Sequence, residues 1–318
     1  MARSINWKKP VLLTLCAAMA FILISRWDTI QAKAPRVIAK LTDAVKSGDG
    51  PYVGNLQGEA AILIDERTGK LLYAKNEHER LYPASTTKLL TALIALEQSD
   101  SNEWVTIGEE AEVRTSGEST AGLHKGDRLK LRDLVAAMML PSGNDAARSV
   151  ARYTAMKVSG RTMTPEEGIS LFAELMNERA RSLGARESHF VNPHGLHDPN
   201  HYTTASDLVL IARKARQNPL IREIVSESEY AAGTAEHKPT YVNRNKLLHP
   251  DSGYYFKGAN GMKTGYTSEA GYCLVASANG KGGSYIAVIL KSSTDQVWLD
   301  AQKLLAYGFE RGSGMTVG

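Results

Sequence analysis

Apolar and polar positions change period several times along this chain. "EAAILIDERTGKLLYAKN" (59–76) reads as two strands around a turn at Arg67-Thr68-Gly69. "YPASTTKLLTALIAL" (82–96) follows, and its apolar run predicts a helix through Leu96. Leu131, Leu134, Val135 and Met138 recur at i, i+3, i+4 and i+7, and Pro141 ends that helix. Asn144 or Asp145 is placed to cap the next helix, which runs towards Tyr153. Ile169, Phe172, Met176 and Leu183 mark another amphipathic helix, closed by Gly184. "SDLVLIARKAR" (206–216) predicts one more, with Ser206 or Asp207 as its cap. "GYCLVASA" (271–278) and "SYIAVILKS" (284–292), joined through "NGKGG", predict a hairpin, and "DQVWLDAQKLLAYGF" (295–309) a closing helix. Strands at both ends with helices between them predict an α/β (α+β) fold. One sheet is built from the two ends, and a helical lobe is inserted in the middle.

The N-terminus breaks this pattern. Arg3, Lys8 and Lys9 precede an apolar run at 11–25, and Arg26 follows it. A basic head before a short apolar body reads as an export signal. The run is short for a bilayer-spanning helix of about 20 residues. Ala32-Lys33-Ala34 offers a small-residue cleavage site, but Pro35 follows it, so removal and retention as an anchor both stay open. Leu15 before Cys16 argues against a lipid-attachment site. Cys16 in the apolar run and Cys273 in a predicted strand are not expected to pair. The expected layout is a signal or anchor at 1–30, a tether at 31–57, a main body at 58–310 with its helical lobe near 98–240, and a tail at 311–318.

Composition adds little. With 318 residues, 43% apolar and a formal charge of +4, the chain is globular, carries no stripe for nucleic acid and suits an acidic polymer. Trp298, Tyr285 and Tyr307 read as core, and the basic run 125–132 as a solvated face.

Ser85 and Lys88 lie one turn apart at the head of the first helix. A serine hydroxyl needs a nearby base to act as a nucleophile, and a lysine serves only when neutral. Alone, the pair fits a helix cap with a solvated lysine equally well. Two further stretches alter that balance. "LPSGNDAA" (140–147) places Ser142 and Asn144 in a turn between helices, and "NGMKTGYTS" (260–268) places Lys263, Thr264 and Gly265 before the hairpin. S-x-x-K, S-x-N and K-T-G in that order are far more specific together than singly.

On these motifs, with "NPHGLHDPNHYTTASDL" and "GMKTGYTSEAGYCLVASA" beside them, the chain resembles the penicillin-recognising serine acyl transferases. Within them it is most similar to the low-molecular-mass penicillin-binding proteins that act as serine D-alanyl-D-alanine carboxypeptidases, over roughly residues 57–310. The resemblance implies a β-lactamase/transpeptidase-like fold with a groove between sheet and helical lobe. It implies an exported enzyme that trims the last D-alanine from peptidoglycan stem peptides and is acylated by β-lactam antibiotics. Ser85 would be the nucleophile, Lys88 the neutral general base and Ser142 a proton relay. Asn144 would hold Lys88 and a substrate amide. Lys263 and Thr264 would grip the terminal carboxylate, Gly265 would let the substrate backbone lie against its strand, and the N–H groups of Ser85 and Tyr266 would form the oxyanion hole. No cofactor, metal or nucleic acid is implied. The well-studied secreted members carry a β-rich domain that this chain does not show after residue 309, so any membrane attachment is expected to fall to the N-terminus. The stretch before "LPSGNDAA" (115–138) is expected to add no catalytic group.

Three rivals differ in identifiable residues. A class A β-lactamase needs a glutamate in E-x-x-L-N, and "ELMN" (174–177) is one residue short. A penicillin sensor without catalysis would need a signalling region across the membrane, which the few residues before the apolar run do not supply. A zinc hydrolase could use His194, His197 and His201, but they lie in a Gly- and Pro-rich stretch with no helical H-E-x-x-H.

Overall fold

The computed structural model describes residues 53–233 and 238–312. The predicted export segment, Cys16 and the cleavage site lie outside them. Among the described residues, no helix is long and apolar enough to cross a membrane.

The chain enters with β1 (Ala60–Asp65) and β2 (Leu71–Lys75), the predicted hairpin. A 3₁₀ turn (Ala84–Thr87) leads into α1 (Lys88–Gln98). A small sheet of β3 (Trp104–Thr106) and β4 (Arg128–Lys130) precedes α2 (Leu131–Met139), α3 (Asn144–Ser159) and α4 (Pro165–Ser182). Next come α5 (Ala205–Ala215), α6 (Pro219–Ser226) and a second small sheet of β5 (Glu229–Ala231) and β6 (Thr240–Val242). The end is β7 (Ala259–Thr267), β8 (Gly271–Gly280), β9 (Gly283–Ser292) and α7 (Gln296–Gly312).

The main sheet runs β2-β1-β9-β8-β7, antiparallel throughout, so the two ends of the chain do build one sheet. Its central strands are buried on both faces, which is why they read as continuous apolar runs. Ile62, Val275, Ile286 and Val288 face the helices of the middle segment, while Leu63, Leu274, Ala287 and Ile289 face α7. Trp298, Tyr285 and Tyr307 are buried in the α7 layer, as their pattern predicted.

Several local details differ from expectation. The sequence predicts a tether through residue 57, yet Val53 and Leu56 are buried on the sheet, and the buried Asp300 carboxylate accepts the N–H groups of Gln57 and Gly58, each at 2.9 Å. Helix α7 continues into the expected tail, through Gly312. Neither Asn144 nor Asp145 caps α3. Gly143 occupies the cap, and Asp145 instead accepts from Ala121 N and Leu123 N in the preceding loop. The cap of α5 is Thr204, whose hydroxyl accepts Asp207 N at 3.0 Å, because the helix starts one residue before Ser206. Thr164 and Glu167 form a capping box on α4. The basic run 125–132 is exposed in part but paired: Lys125 with Glu109, and Arg132 with Glu223.

Candidate active site

Ser85 is not a helix cap. It sits in the 3₁₀ turn before α1, whose N-terminus carries no side-chain cap. The turn is held from three sides. Thr86 Oγ1 donates to Pro83 O at 2.7 Å and Thr87 Oγ1 to Ala84 O at 2.9 Å. Gly195 lies so close that a Cβ there would be 1.8 Å from Ala84 O. On the strand side, a Cβ on Gly265 would stand 3.0 Å from both Pro83 O and Ser85 N. Gly265 thus lets β7 approach the turn that carries Ser85, a contact distinct from the substrate contact expected of it.

Lys88 heads α1 and is fully buried. Its Nζ lies 2.8 Å from Ser85 Oγ, 2.6 Å from Asn144 Oδ1 and 2.8 Å from His194 O. Asn144 Oδ1 and His194 O can only accept. A neutral amine has two N–H groups, which satisfy both and leave its lone pair facing Ser85 Oγ. Burial holds the Lys88 amine well below the usual lysine range, and the charges of Lys263 and Arg148 act in the same direction.

The turn between α2 and α3 brings Ser142 into the site at a positive φ of 66°. Lys263 Nζ donates to Ser142 Oγ at 3.0 Å and to Thr264 O at 2.9 Å. Lys263 is buried, which, with Arg244 nearby, pushes its amine down to about 7. Its direction depends on a bulge in β7, where register shifts between Ala259 and Met262 and Met262 has a φ of 100°. Beyond the bulge Lys263 pairs with Val275, which faces the helices, while Met262 pairs with Ala276 of the other face yet packs into the helical core. Thr264, Gly265 and Tyr266 continue along the strand, and Tyr266 is exposed at the rim, its ring 4.5 Å from that of Tyr272. A groove of about 710 Å³ opens over these groups. All eight residues expected from the motifs therefore converge: Lys88 and Lys263 in its floor, the other six along its lining.

The sequence reading missed Arg244 and Glu118, which also line the groove. Arg244 follows β6 and bonds Ser119 Oγ at 2.6 Å. Glu118 lies in the stretch from which nothing was expected, and its carboxylate accepts Asn144 Nδ2 at 3.3 Å. The three histidines scatter their nitrogens. His201 Nε2 meets Thr87 Oγ1 at 2.9 Å, His194 Nδ1 accepts Leu196 N at 3.2 Å, and His197 packs edge-on against Tyr82. Among the described residues, no group of His, Cys, Asp and Glu is arranged to hold a metal ion. Asn177 of "ELMN" is tied to Ala173 O and Phe190 O, away from the groove.

Residues 46–294 match the family model described as D-alanyl-D-alanine carboxypeptidase. The chain belongs to that family. It is 35% identical over 255 residues to the D-alanyl-D-alanine carboxypeptidase DacF of Bacillus subtilis, covering 77% of this chain and 61% of the relative. It is 34% identical over 258 residues to the D-alanyl-D-alanine carboxypeptidase of Streptomyces sp. K15, covering 77% and 85%. The crystal structure of the Streptomyces K15 DD-transpeptidase superposes with a TM-score of 0.74 at 32% identity, covering 82% of this chain and 99% of that one. The expected β-lactamase/transpeptidase-like architecture is thus the observed one. The chain spans 61% of the length of DacF and 62% of the DacA of Haemophilus influenzae.

Proposed function

We propose that this protein is an exported serine D-alanyl-D-alanine carboxypeptidase that removes the terminal D-alanine from peptidoglycan stem peptides. The observation that carries the reading is the buried Lys88 amine, 2.8 Å from Ser85 Oγ and within hydrogen-bond reach of the acceptors Asn144 Oδ1 and His194 O. Ser85 donates its proton to that lone pair as its oxygen attacks the penultimate carbonyl. The N–H groups of Ser85 and Tyr266 receive the developing oxyanion. Ser142, bonded to Lys263, passes a proton to the leaving D-alanine amine. Lys263 and Arg244, close enough for their charges to interact, supply the positive charge and, with the Thr264 hydroxyl, take the terminal carboxylate. Water then attacks the Ser85 ester. The same site accepts β-lactams, whose strained amide and carboxylate present the same groups. Family membership supports stem-peptide cleavage, and the basic head with its apolar run supports export to the outer face of the membrane, the wall space or the medium.

Transpeptidation, the activity for which the Streptomyces K15 structure is named, differs from hydrolysis in what receives the acyl group, so an amine acceptor at this site is a second outcome. The test is intact-mass measurement after penicillin treatment, with release of D-alanine from a D-alanyl-D-alanine peptide followed in parallel. The native chain is expected to gain one adduct and to release D-alanine, and Ser85→Ala to do neither. An adduct persisting in Ser85→Ala would overturn the reading.

A further inference from the structure

The ion pair behind Asn144 is more buried than its role as a loop fastening requires. The side chains of Glu118 and Arg148 are 3% and 4% exposed. Arg148 donates to both Glu118 oxygens, at 3.0 and 2.6 Å, and its Nε donates to Glu110 O at 2.9 Å. A buried pair of this kind costs desolvation that an apolar pair would avoid, so stability alone is a poor account of it. Its second contact points elsewhere. Glu118 Oε2 also accepts Asn144 Nδ2 at 3.3 Å, and Asn144 Oδ1 accepts from Lys88 Nζ at 2.6 Å.

A side-chain amide fits its pocket in two orientations. With Nδ2 turned towards Lys88, a donor would face the amine, and the two Lys88 hydrogens would no longer both find acceptors. A carboxylate accepts and cannot donate, so Glu118 admits only one orientation. Arg148 in turn fixes the carboxylate in a two-point grip. The loop is anchored beside it, since Asn144 N donates to Ser119 O at 2.8 Å.

Resting on the reading of Ser85 as the acylated nucleophile, we propose that Glu118, gripped by Arg148, is a positioning residue. It orients the Asn144 amide and thereby aims the Lys88 lone pair at Ser85. Neither residue touches the reacting atoms, and both act through Asn144.

The pair also sets the charge around Lys88. Facing that amine are Lys263 from β7, Arg148 from α3, Arg244 after β6 and Glu118 from the 115–120 loop, with His194 held neutral by burial. Glu118 is the negative member. Removing it leaves Arg148 unopposed, so Lys88 loses its proton at lower pH. Removing Arg148 leaves the carboxylate unopposed, so Lys88 keeps its proton to higher pH.

The test is the second-order rate of acylation by benzylpenicillin from pH 5 to 10, read by intact mass, with thermal unfolding to confirm the fold. Glu118→Gln removes the charge and is expected to move the rising limb to lower pH by about one unit. Glu118→Asp keeps the charge but draws the carboxylate back by one methylene. It is expected to leave the rising limb in place and lower the maximum rate about tenfold. Arg148→Met is expected to move the limb to higher pH. Should that variant fail to fold, the two Glu118 variants decide the matter. Shifts in one common direction, or a native maximum rate in Glu118→Asp, would overturn the assignment while native acylation stands. Absence of acylation in the native protein would overturn the parent reading and this one with it.

Discussion

The Thr87 hydroxyl lies 2.9 Å from His201 Nε2, linking the 3₁₀ turn that carries Ser85 to the loop before α5. Val191 N donates to His201 Nδ1 at 3.1 Å, so the ring proton is on Nε2 and is donated to Thr87 Oγ1. Thr87 Oγ1 in turn donates a hydrogen bond to Ala84 O. Ala84 has a φ of 47°, a left-handed conformation that costs a non-glycine residue about 1–2 kcal/mol. The bond chain is what holds it there. Thr87→Val keeps the shape but leaves the buried His201 N–H without an acceptor. Acylation of Ser85 is expected to slow by about tenfold or more. Thr87→Ser is expected to restore most of the rate, and equal rates in Val and Ser variants would refute the clamp.

Acid sensitivity follows from the same histidine. Burial pushes the His201 imidazole from its ordinary 6.5 down to about 3. The folded state therefore binds fewer protons than the unfolded chain between those values. Stability is present above about pH 6.5 and is lost as pH falls towards 3. His194 acts in the same sense, since burial also holds it well below its ordinary value. The melting temperature is expected to fall steeply between pH 6.5 and 4, and His201→Gln to show a shallower slope from a lower starting point. Parallel slopes would count against it.

The two kinds of signal in the sequence fared differently. Strands β8 and β9 and helices α2, α4 and α7 were legible because a buried face imposes its period on the residues that fill it. The motif residues were legible because the chemistry demands particular side chains at short spacing. The bulge at Met262 was not, since register is set by the partner strand and "GMKTG" shows no break in pattern. The 3₁₀ turn was hidden for a related reason: S-T-T-K continues a helical spacing, and only the approach of Gly195 and Gly265 reveals a different backbone. Glu118 was invisible because its partners, Asn144 and Arg148, lie 26 and 30 residues away on a helix. A loop glutamate has no periodicity that could indicate burial.

Lys263 gives the pH profile its second limb. Its amine, pushed down to about 7 by burial and by Arg244, loses charge as pH rises through that value. A substrate carboxylate binds the charged form. For a D-alanyl-D-alanine peptide, kcat/KM is expected to rise as Lys88 becomes neutral and to fall again as Lys263 does. Amidating the terminal carboxylate removes the partner of the Lys263 charge, so the falling limb is expected to vanish while the overall rate drops. A falling limb of equal depth for the amide would assign it to another group.

Two glycines press on the Ser85 turn, and the distances separate their roles. At Gly265, an added Cβ meets Pro83 O and Ser85 N at 3.0 Å and Ala84 Cβ at 3.1 Å, and the backbone has an ordinary φ. Those contacts are tight by only a few tenths of an ångström, so β7 and the turn can part slightly without unfolding. That small separation moves Ser85 N relative to Tyr266 N, the two groups assigned to the oxyanion. Gly265→Ala is therefore expected to fold with a near-native melting temperature and to acylate about a hundredfold more slowly, a loss typical of a disturbed oxyanion site. At Gly195, φ is 83° and a Cβ would lie 1.8 Å from Ala84 O, which no small adjustment relieves. Gly195→Ala is expected to lower stability by about 2 kcal/mol or more, or to prevent folding. Thermal unfolding and acylation rates on both variants check the contrast. A Gly265→Ala protein that acylates at the native rate would show that the spacing between strand and turn does not control the oxyanion site.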